Sequence, residues 1–158
     1  MKVGAIPYQK TFRGIEICLV SSRRHANTLT LPKGIVKSQE KLISAALREL
    51  YEEAGIIGQV KKKSAPILFT SANSDMDDVL YFFVEIQEIK KKWPEAKFRS
   101  RHILPLEDAC SMPIKGAAKK ILAKVTKQQR QGEYIFADLG KRSLFKPKLA
   151  NFLKMKEV

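Results

Sequence analysis

Residues that form covalent or metal cross-links are scarce in this 158-residue sequence, which contains two cysteines and two histidines. Cys18 and Cys110 lie far apart and show no CxxC spacing, so neither a zinc site nor a disulfide framework is predicted. No apolar run approaches the roughly 20 residues that a membrane-spanning helix needs. The opening segment, MKVGAIPYQK, has too short an apolar stretch for a signal peptide. The length of 158 residues predicts a single domain, and these absences predict a cytoplasmic location without a membrane span.

Acidic residues are in the minority, with 16 Asp and Glu against 30 Lys and Arg and a net charge of +14. The imbalance is largest at the C-terminal end, where residues 115–158 contain twelve basic and three acidic residues. A surface of that charge attracts polyanions such as nucleic acid, a phosphate-rich small molecule or anionic lipid. A solvated helix face that keeps the protein soluble explains the same pattern, so both interpretations stay open.

The alternation of polar and apolar residues predicts strands, a helix, further strands and a final helix. The predicted strands cover residues 2–9, 14–22, 56–64, 66–71 and 77–89, and the last is the most apolar and is placed centrally. The predicted helices cover residues 39–54 and 116–130, with one further turn within 106–112. This order favours an α+β (mixed α/β) fold in which a mixed sheet is sandwiched between helices.

The first predicted helix has signals at both ends. Ser38 stands where a side-chain oxygen would cap the first turn, after a short loop from Gly34. Gly55 stands where a left-handed residue would end the helix. The apolar stripes of the two helices are predicted at Leu42, Ala45, Ala46 and Leu50 and at Ala118, Ile121, Leu122 and Val125.

Three glutamates of the first helix project from one face. At about 100° per residue, Glu49, Glu52 and Glu53 lie within a fan of roughly 100°. Such a cluster is costly unless a cation joins it, and hard carboxylate oxygens select Mg²⁺, Mn²⁺ or Ca²⁺. A carboxylate left free of the metal could deprotonate water. A solvated acidic patch on a good helix-forming sequence is the alternative interpretation.

The wider spacing decides between these interpretations. Nine residues match a defined array across 23 positions: Gly34, Glu40, Arg48, Glu49, Leu50, Glu52, Glu53, Gly55 and Ile56. The array is the Nudix box, and the chain resembles a Nudix hydrolase. The resemblance implies a Nudix fold over residues 1–130. The basic C-terminal extension at 131–158 falls outside the resemblance and is predicted to pack on the same domain.

The resemblance also implies roles for individual residues. Glu49 and Glu53 would bind the metal, and Glu52 would be the general base or a further metal ligand. Gly34 would offer its backbone carbonyl to the metal, while Arg48 would orient the carboxylates as part of the catalytic set. Glu40 would tie the preceding loop to the helix. The implied cofactor is Mg²⁺, with Mn²⁺ as an alternative, and the implied reaction is attack of water on a diphosphate linkage.

The segments GAIPY, LVSSRR and LPKG resemble the branch that includes diphosphoinositol polyphosphate phosphohydrolases and diadenosine polyphosphate hydrolases. This implies substrate-binding roles for five residues: Ser22, Arg23, Arg24, Lys33 and Arg101. Arg99 would accompany Arg101 on a strand facing the same cleft. Leu29, Ile35 and the acidic loop ANSDMDD depart from the inositol pattern and favour a dinucleoside or broad polyphosphorylated substrate.

Other functions are compatible with the sequence. A nucleoside triphosphate pyrophosphatase need not have the basic SSRR segment, and a non-catalytic Nudix module would bind a nucleotide or RNA without hydrolysis. Because the tail is basic, an RNA 5′ end is an alternative substrate, although a small polyphosphorylated molecule is the favoured partner. Either a monomer or a homodimer is compatible with the sequence. Tyr81, Phe82 and Phe83 could stack on a base, but strand interiors favour a core position for them.

Overall fold

The computed structural model describes residues 1–61, 65–70, 78–114 and 116–130. The strands are β1 (Lys2–Thr11), β2 (Gly14–Ser21), β3 (Leu29–Thr30), β4 (Lys33–Ile35), β5 (Ile56–Val60), β6 (Ile67–Phe69), β7 (Val79–Ile89) and β8 (Arg101–Pro105). The helices are α1 (Leu42–Ala54), α2 (Leu106–Ala109) and α3 (Gly116–Arg130). No helix in these ranges is long and apolar enough to cross a membrane.

The strands form one mixed sheet with the order β3-β2-β1-β7-β5. β1 and β7 run parallel, with Val3 opposite Leu80, whereas the other strand pairs are antiparallel. β7 has β1 on one side and β5 and β6 on the other, which confirms its internal position. The predicted α+β fold with a mixed sheet between helices is therefore confirmed.

The apolar run of β7 is buried because helices cover both faces of the sheet. Tyr81 and Phe83 belong to a core cluster that includes residues of α2 and α3. Leu80 and Phe82 point the other way, into a cluster with α1. The three aromatic residues at 81–83 are almost fully buried, so they are core residues and are not available to stack on a ligand.

The first helix begins later than predicted, at Leu42 instead of Gln39. Gln39 has a φ of 60°, a left-handed conformation that cannot continue into a right-handed helix. Ser38 is therefore too far upstream to cap α1, and Lys41 is the residue that precedes the first helical position. The segment expected as loop after Gly34 also contains part of a strand, because β4 pairs with the start of β1.

Several predictions concern segments beyond the described residues. The acidic loop at 72–78 is described only at Asp78, and the strands predicted at 56–64 and 66–71 are described up to Lys61 and Thr70. The basic extension at 131–158 also lies outside the described residues, so its packing on the domain stays a prediction.

A distant segment, residues 90–101, caps the C-terminal end of α1. Gly55 adopts the predicted left-handed conformation, with a φ of 63°. The carbonyls of four consecutive residues at this end then receive long-range hydrogen bonds: Glu52 from the Glu95 N–H at 3.0 Å, Glu53 from Trp93 Nε1 at 3.1 Å, Ala54 from Arg101 at 2.7 Å, and Gly55 from the Lys90 N–H at 2.8 Å. The last carbonyls of a helix have no partner within it, so this segment satisfies them.

Replacement of Trp93 by Phe should lower the free energy of unfolding by about 1–3 kcal/mol, because it leaves the Glu53 carbonyl without its donor while keeping an aromatic ring. Urea unfolding followed by far-UV circular dichroism would measure this, since Trp93 is the single tryptophan and cannot serve as the probe. Arg101→Ala should cost more, because Arg101 also donates to Lys90 and stacks on the Trp93 ring at 4.4 Å. Equal stability of W93F and the wild type would contradict the capping role.

Candidate active site

Arg48 connects the carboxylates of α1 with one another and with the preceding loop. Its Nε and one terminal nitrogen donate to both oxygens of Glu40, at 2.8 and 2.9 Å. The other terminal nitrogen donates to Glu49 at 2.6 Å and to Glu52 at 3.1 Å. A further bond to the Ile35 carbonyl, at 3.0 Å, ties the loop to the helix. One guanidinium thus offsets the repulsion among three carboxylates.

Glu53 lies on the same helix but is buried, with 6% of its surface exposed. One carboxylate oxygen accepts the Lys33 backbone N–H at 3.2 Å, and the other forms an ion pair with Arg99. Burial raises the pKa of Glu53 to about 7, while the Arg99 charge acts in the opposite direction. The ionised form of Glu53 therefore depends on positive charge beside it.

Arg99 is itself held in place by two further contacts. It donates to the Ser21 carbonyl at the end of β2, at 2.8 Å, and it pairs with Glu95. The predicted strand position for Arg99 is wrong, since β8 begins at Arg101. Arg99 therefore links the end of β2 to α1, the helix that carries the three carboxylates (the carboxylate helix).

The loop before α1 approaches the helix closely because Gly34 has no side chain. A Cβ built on Gly34 would overlap the Glu49 carboxylate. Gly34 is also in register with Val3 of β1, so the strand pairing limits its movement. The Glu49 and Glu53 carboxylates therefore meet the same short stretch, Lys33–Gly34, one against the Gly34 backbone and one on the Lys33 N–H.

The chemistry of these donors, although not their present arrangement, is that of a site for a hard divalent cation. Glu49, Glu52 and Glu53 supply carboxylate oxygens, and the Glu49 carboxylate lies directly against the Gly34 backbone. Within residues 1–61, 65–70, 78–114 and 116–130, no three His, Cys, Asp or Glu side chains are gathered as a group that could hold a metal ion. Arg48 and Arg99 occupy the carboxylates in this conformation, so a cation would compete with these two arginines for them.

Two of the predicted substrate-binding residues lie together. Ser22 and Lys33 line a pocket of about 200 Å³, whose wall also includes His25 and the first two residues of α3. Arg23 and Arg24 are exposed, and Arg23 lies outside this pocket, 3.9 Å from Glu95. Arg101 lies elsewhere: its guanidinium donates to the Ala54 and Lys90 carbonyls and stacks on Trp93. Its predicted contact with substrate stays a prediction.

Trp93 and Glu95 also belong to this region, although no sequence motif predicts it. Their roles depend on contacts with α1 across about 40 residues of chain, which no local spacing encodes. The signals that could have pointed to them are the single tryptophan of the chain and the Glu95–Arg99 pair at helical spacing.

A family model described as the NUDIX domain matches residues 1–128. Nudix hydrolase 21, chloroplastic, from Arabidopsis thaliana is 32% identical over 114 residues, which cover 70% of this chain and 58% of the relative. Diphosphoinositol polyphosphate phosphohydrolase 2 from Rattus norvegicus is 33% identical over 107 residues, covering 63% of this chain and 58% of the relative. This chain thus spans less than two thirds of the length of these hydrolases.

The fold has counterparts among solved structures. A C. elegans Ap4A hydrolase in a binary complex superposes with a TM-score of 0.60 and 21% identity, covering 83% of this chain and 99% of that chain. The Nudix domain of Shewanella oneidensis NrtR, solved with ADP ribose, gives a TM-score of 0.61 at 15% identity, covering 81% and 86%. The mixed sheet with helices on both faces thus matches the fold of these neighbours. The chain belongs to the Nudix family, as the family model shows.

The cellular location is not decided by these relatives. Some carry chloroplastic or mitochondrial names, so the cytoplasmic location stays a prediction.

Replacement of Glu40 by Gln should lower the free energy of unfolding by about 1–3 kcal/mol at pH 7, because Glu40 accepts charged hydrogen bonds from Arg48. The bonds from Arg48 and from the Lys37 N–H hold the pKa of Glu40 at about 2, below its usual 4.5. The stabilisation is therefore complete above about pH 5 and is lost as the pH falls towards 2.

Urea unfolding of wild type and E40Q between pH 7 and pH 2.5 would check this, and the stability difference should shrink as the pH falls. Glu88→Gln is the matched control, since Glu88 pairs with Lys90 on an exposed surface and should contribute under about 1 kcal/mol. A difference between wild type and E40Q that does not change with pH would contradict the role assigned to the Glu40 carboxylate.

Proposed function

We propose that this chain is a divalent-metal-dependent hydrolase that cleaves a diphosphate linkage in a polyphosphorylated small molecule, either a dinucleoside polyphosphate or a diphosphoinositol polyphosphate. The observation that carries the proposal is the convergence of Glu49 and Glu53 on the Lys33–Gly34 stretch. The relatives are named Nudix hydrolases and diphosphoinositol polyphosphate phosphohydrolases, which supports the same class of reaction.

Glu49, Glu53 and the Gly34 carbonyl are the groups that would hold Mg²⁺ or Mn²⁺ in this proposal. When bound, such a cation would neutralise negative charge on the diphosphate as it develops. Arg48 would keep Glu49 and Glu52 oriented, as its present hydrogen bonds do. The geometry supports this division of roles because Glu49 and Glu53 face the loop.

Glu52 is the residue proposed to take the proton from the attacking water. Its side chain is 36% exposed, against 13% for Glu49 and 7% for Glu53, so it is the most accessible of the three carboxylates. A general base has to come within hydrogen-bond reach of a water molecule, and that accessibility supports the assignment. The backbone beneath Glu52 is held by the Glu95 N–H, which limits its movement.

The pocket lined by Ser22 and Lys33 is the proposed position for substrate phosphates. Lys33 brings a positive charge, and the first residues of α3 bring the N-terminal end of a 15-residue helix, which favours negative charge. Lys33 also connects the pocket to the carboxylates, because its backbone N–H binds Glu53. A phosphate in this pocket would therefore lie beside the proposed metal-binding groups.

Purified protein with Mg²⁺ should hydrolyse diadenosine polyphosphates or diphosphoinositol polyphosphates in preference to nucleoside triphosphates, ADP-ribose and capped RNA. Glu52→Gln should then lower kcat by about 10²- to 10⁴-fold, because the variant loses the general base but keeps its shape. Unfolding measurements should show little change in stability. No turnover of any substrate by the wild type would refute the proposal, and full activity of E52Q would assign the base to another residue.

Replacement of Gly34 by Ala should weaken Mg²⁺ binding, because the added methyl group overlaps the Glu49 carboxylate and displaces it. Isothermal titration calorimetry with Mn²⁺ or Mg²⁺ measures this without relying on activity. Ile35→Ala is the matched control, since Ile35 is the next residue and its side chain is exposed. Equal metal affinity in G34A and the wild type would contradict the placement of the site at this loop.

A further inference from the structure

We propose that Phe98 is a specificity-determining residue that stacks on the base of a nucleoside or dinucleoside polyphosphate. The inference rests on the proposed function and narrows its substrate class to molecules with an aromatic base. Its starting observation is the exposure of Phe98, which is 67% despite the apolar ring. Phe98 immediately precedes Arg99, which pairs with Glu53 in the candidate active site.

The backbone that carries Phe98 is held in place, although the ring is exposed. The N–H groups of Phe98 and Arg99 both donate to the Glu95 carbonyl at 2.9 Å. Glu95 in turn donates its own N–H to Glu52 on α1, at 3.0 Å. The ring is therefore presented from a segment bonded directly to the carboxylate helix, so a base could bind it without first ordering a loop.

The surroundings of the ring match the chemistry of a nucleotide. The Arg23 guanidinium lies over the Phe98 ring, 5.8 Å from its centroid, and brings a positive charge to the same place. Stacking on an aromatic ring is available to any base because every base has a π face, whereas an inositol ring has none. An aromatic ring beside an arginine can therefore bind a base and a neighbouring phosphate together.

Phe12 is a comparable residue away from the site, with an exposed ring and an arginine beside it. It is 93% exposed, and Arg13 lies over its ring at 5.1 Å. It follows the end of β1, whereas Gly34 pairs with Val3 near the start of that strand. At about 3.3 Å per residue, Phe12 lies roughly 30 Å from the Gly34 loop, so it is the matched control for Phe98.

The experiment compares F98A, F98W and F12A with two substrates, diadenosine tetraphosphate and a diphosphoinositol pentakisphosphate. F98A should raise KM for diadenosine tetraphosphate by about 5-fold or more, with kcat nearly unchanged, because stacking contributes to ground-state and transition-state binding alike. F98W should retain the wild-type KM, and F12A should change nothing. KM for the inositol substrate should be the same in all variants.

A direct binding measurement accompanies the kinetics. Calorimetric titration of diadenosine tetraphosphate into E52Q and E52Q/F98A should show a loss of affinity of about 5-fold or more in the double variant. An unchanged affinity, or an equal rise in KM for both substrates in F98A, would overturn the role of Phe98. If the wild type hydrolyses neither substrate, the proposed function fails, and the titration still decides whether Phe98 binds a base.

Discussion

Three glutamates within about one turn of α1 would repel one another unless positive charge lay between them. Arg48 supplies that charge for Glu49 and Glu52, and it reaches back to Glu40 and the Ile35 carbonyl at the same time. The guanidinium that offsets the repulsion between the carboxylates therefore also holds the loop before α1 in place. The close approach of Gly34 to Glu49 depends on this arrangement, because the loop has to lie directly on the helix face.

The segment of residues 90–101 stabilises the other end of α1. It provides hydrogen-bond donors to the helix carbonyls. It also contains Arg99, whose positive charge stabilises the ionised form of the buried Glu53. Phe98 belongs to the same segment. Residues 90–101 thus both hold the carboxylate helix in place and carry Phe98, at which we infer that a base is bound.

Much of this fold could be predicted from local patterns. The stripe Leu42, Ala45, Ala46 and Leu50 is buried as its helical period indicates, and the apolar run of β7 lies inside the sheet. The start of α1 could not be predicted, since the left-handed conformation of Gln39 has no signal in its residue type. The contacts of Arg101 could not be predicted either, because a basic residue near a predicted cleft can equally donate to the carbonyls at the end of a helix.

The sequence by itself determined the family and the residues that could carry chemistry, because the fixed spacing from Gly34 to Ile56 places Glu49, Glu52 and Glu53 on one side of a helix whatever lies around it. Only the tertiary structure decided which of these carboxylates is buried and which is accessible. It also decided that Arg99 faces Glu53 while Arg101 binds the end of the helix. The physical reason is that burial and ion pairing depend on contacts between residues far apart in the chain, whereas the periodicity of a helix depends only on its neighbours.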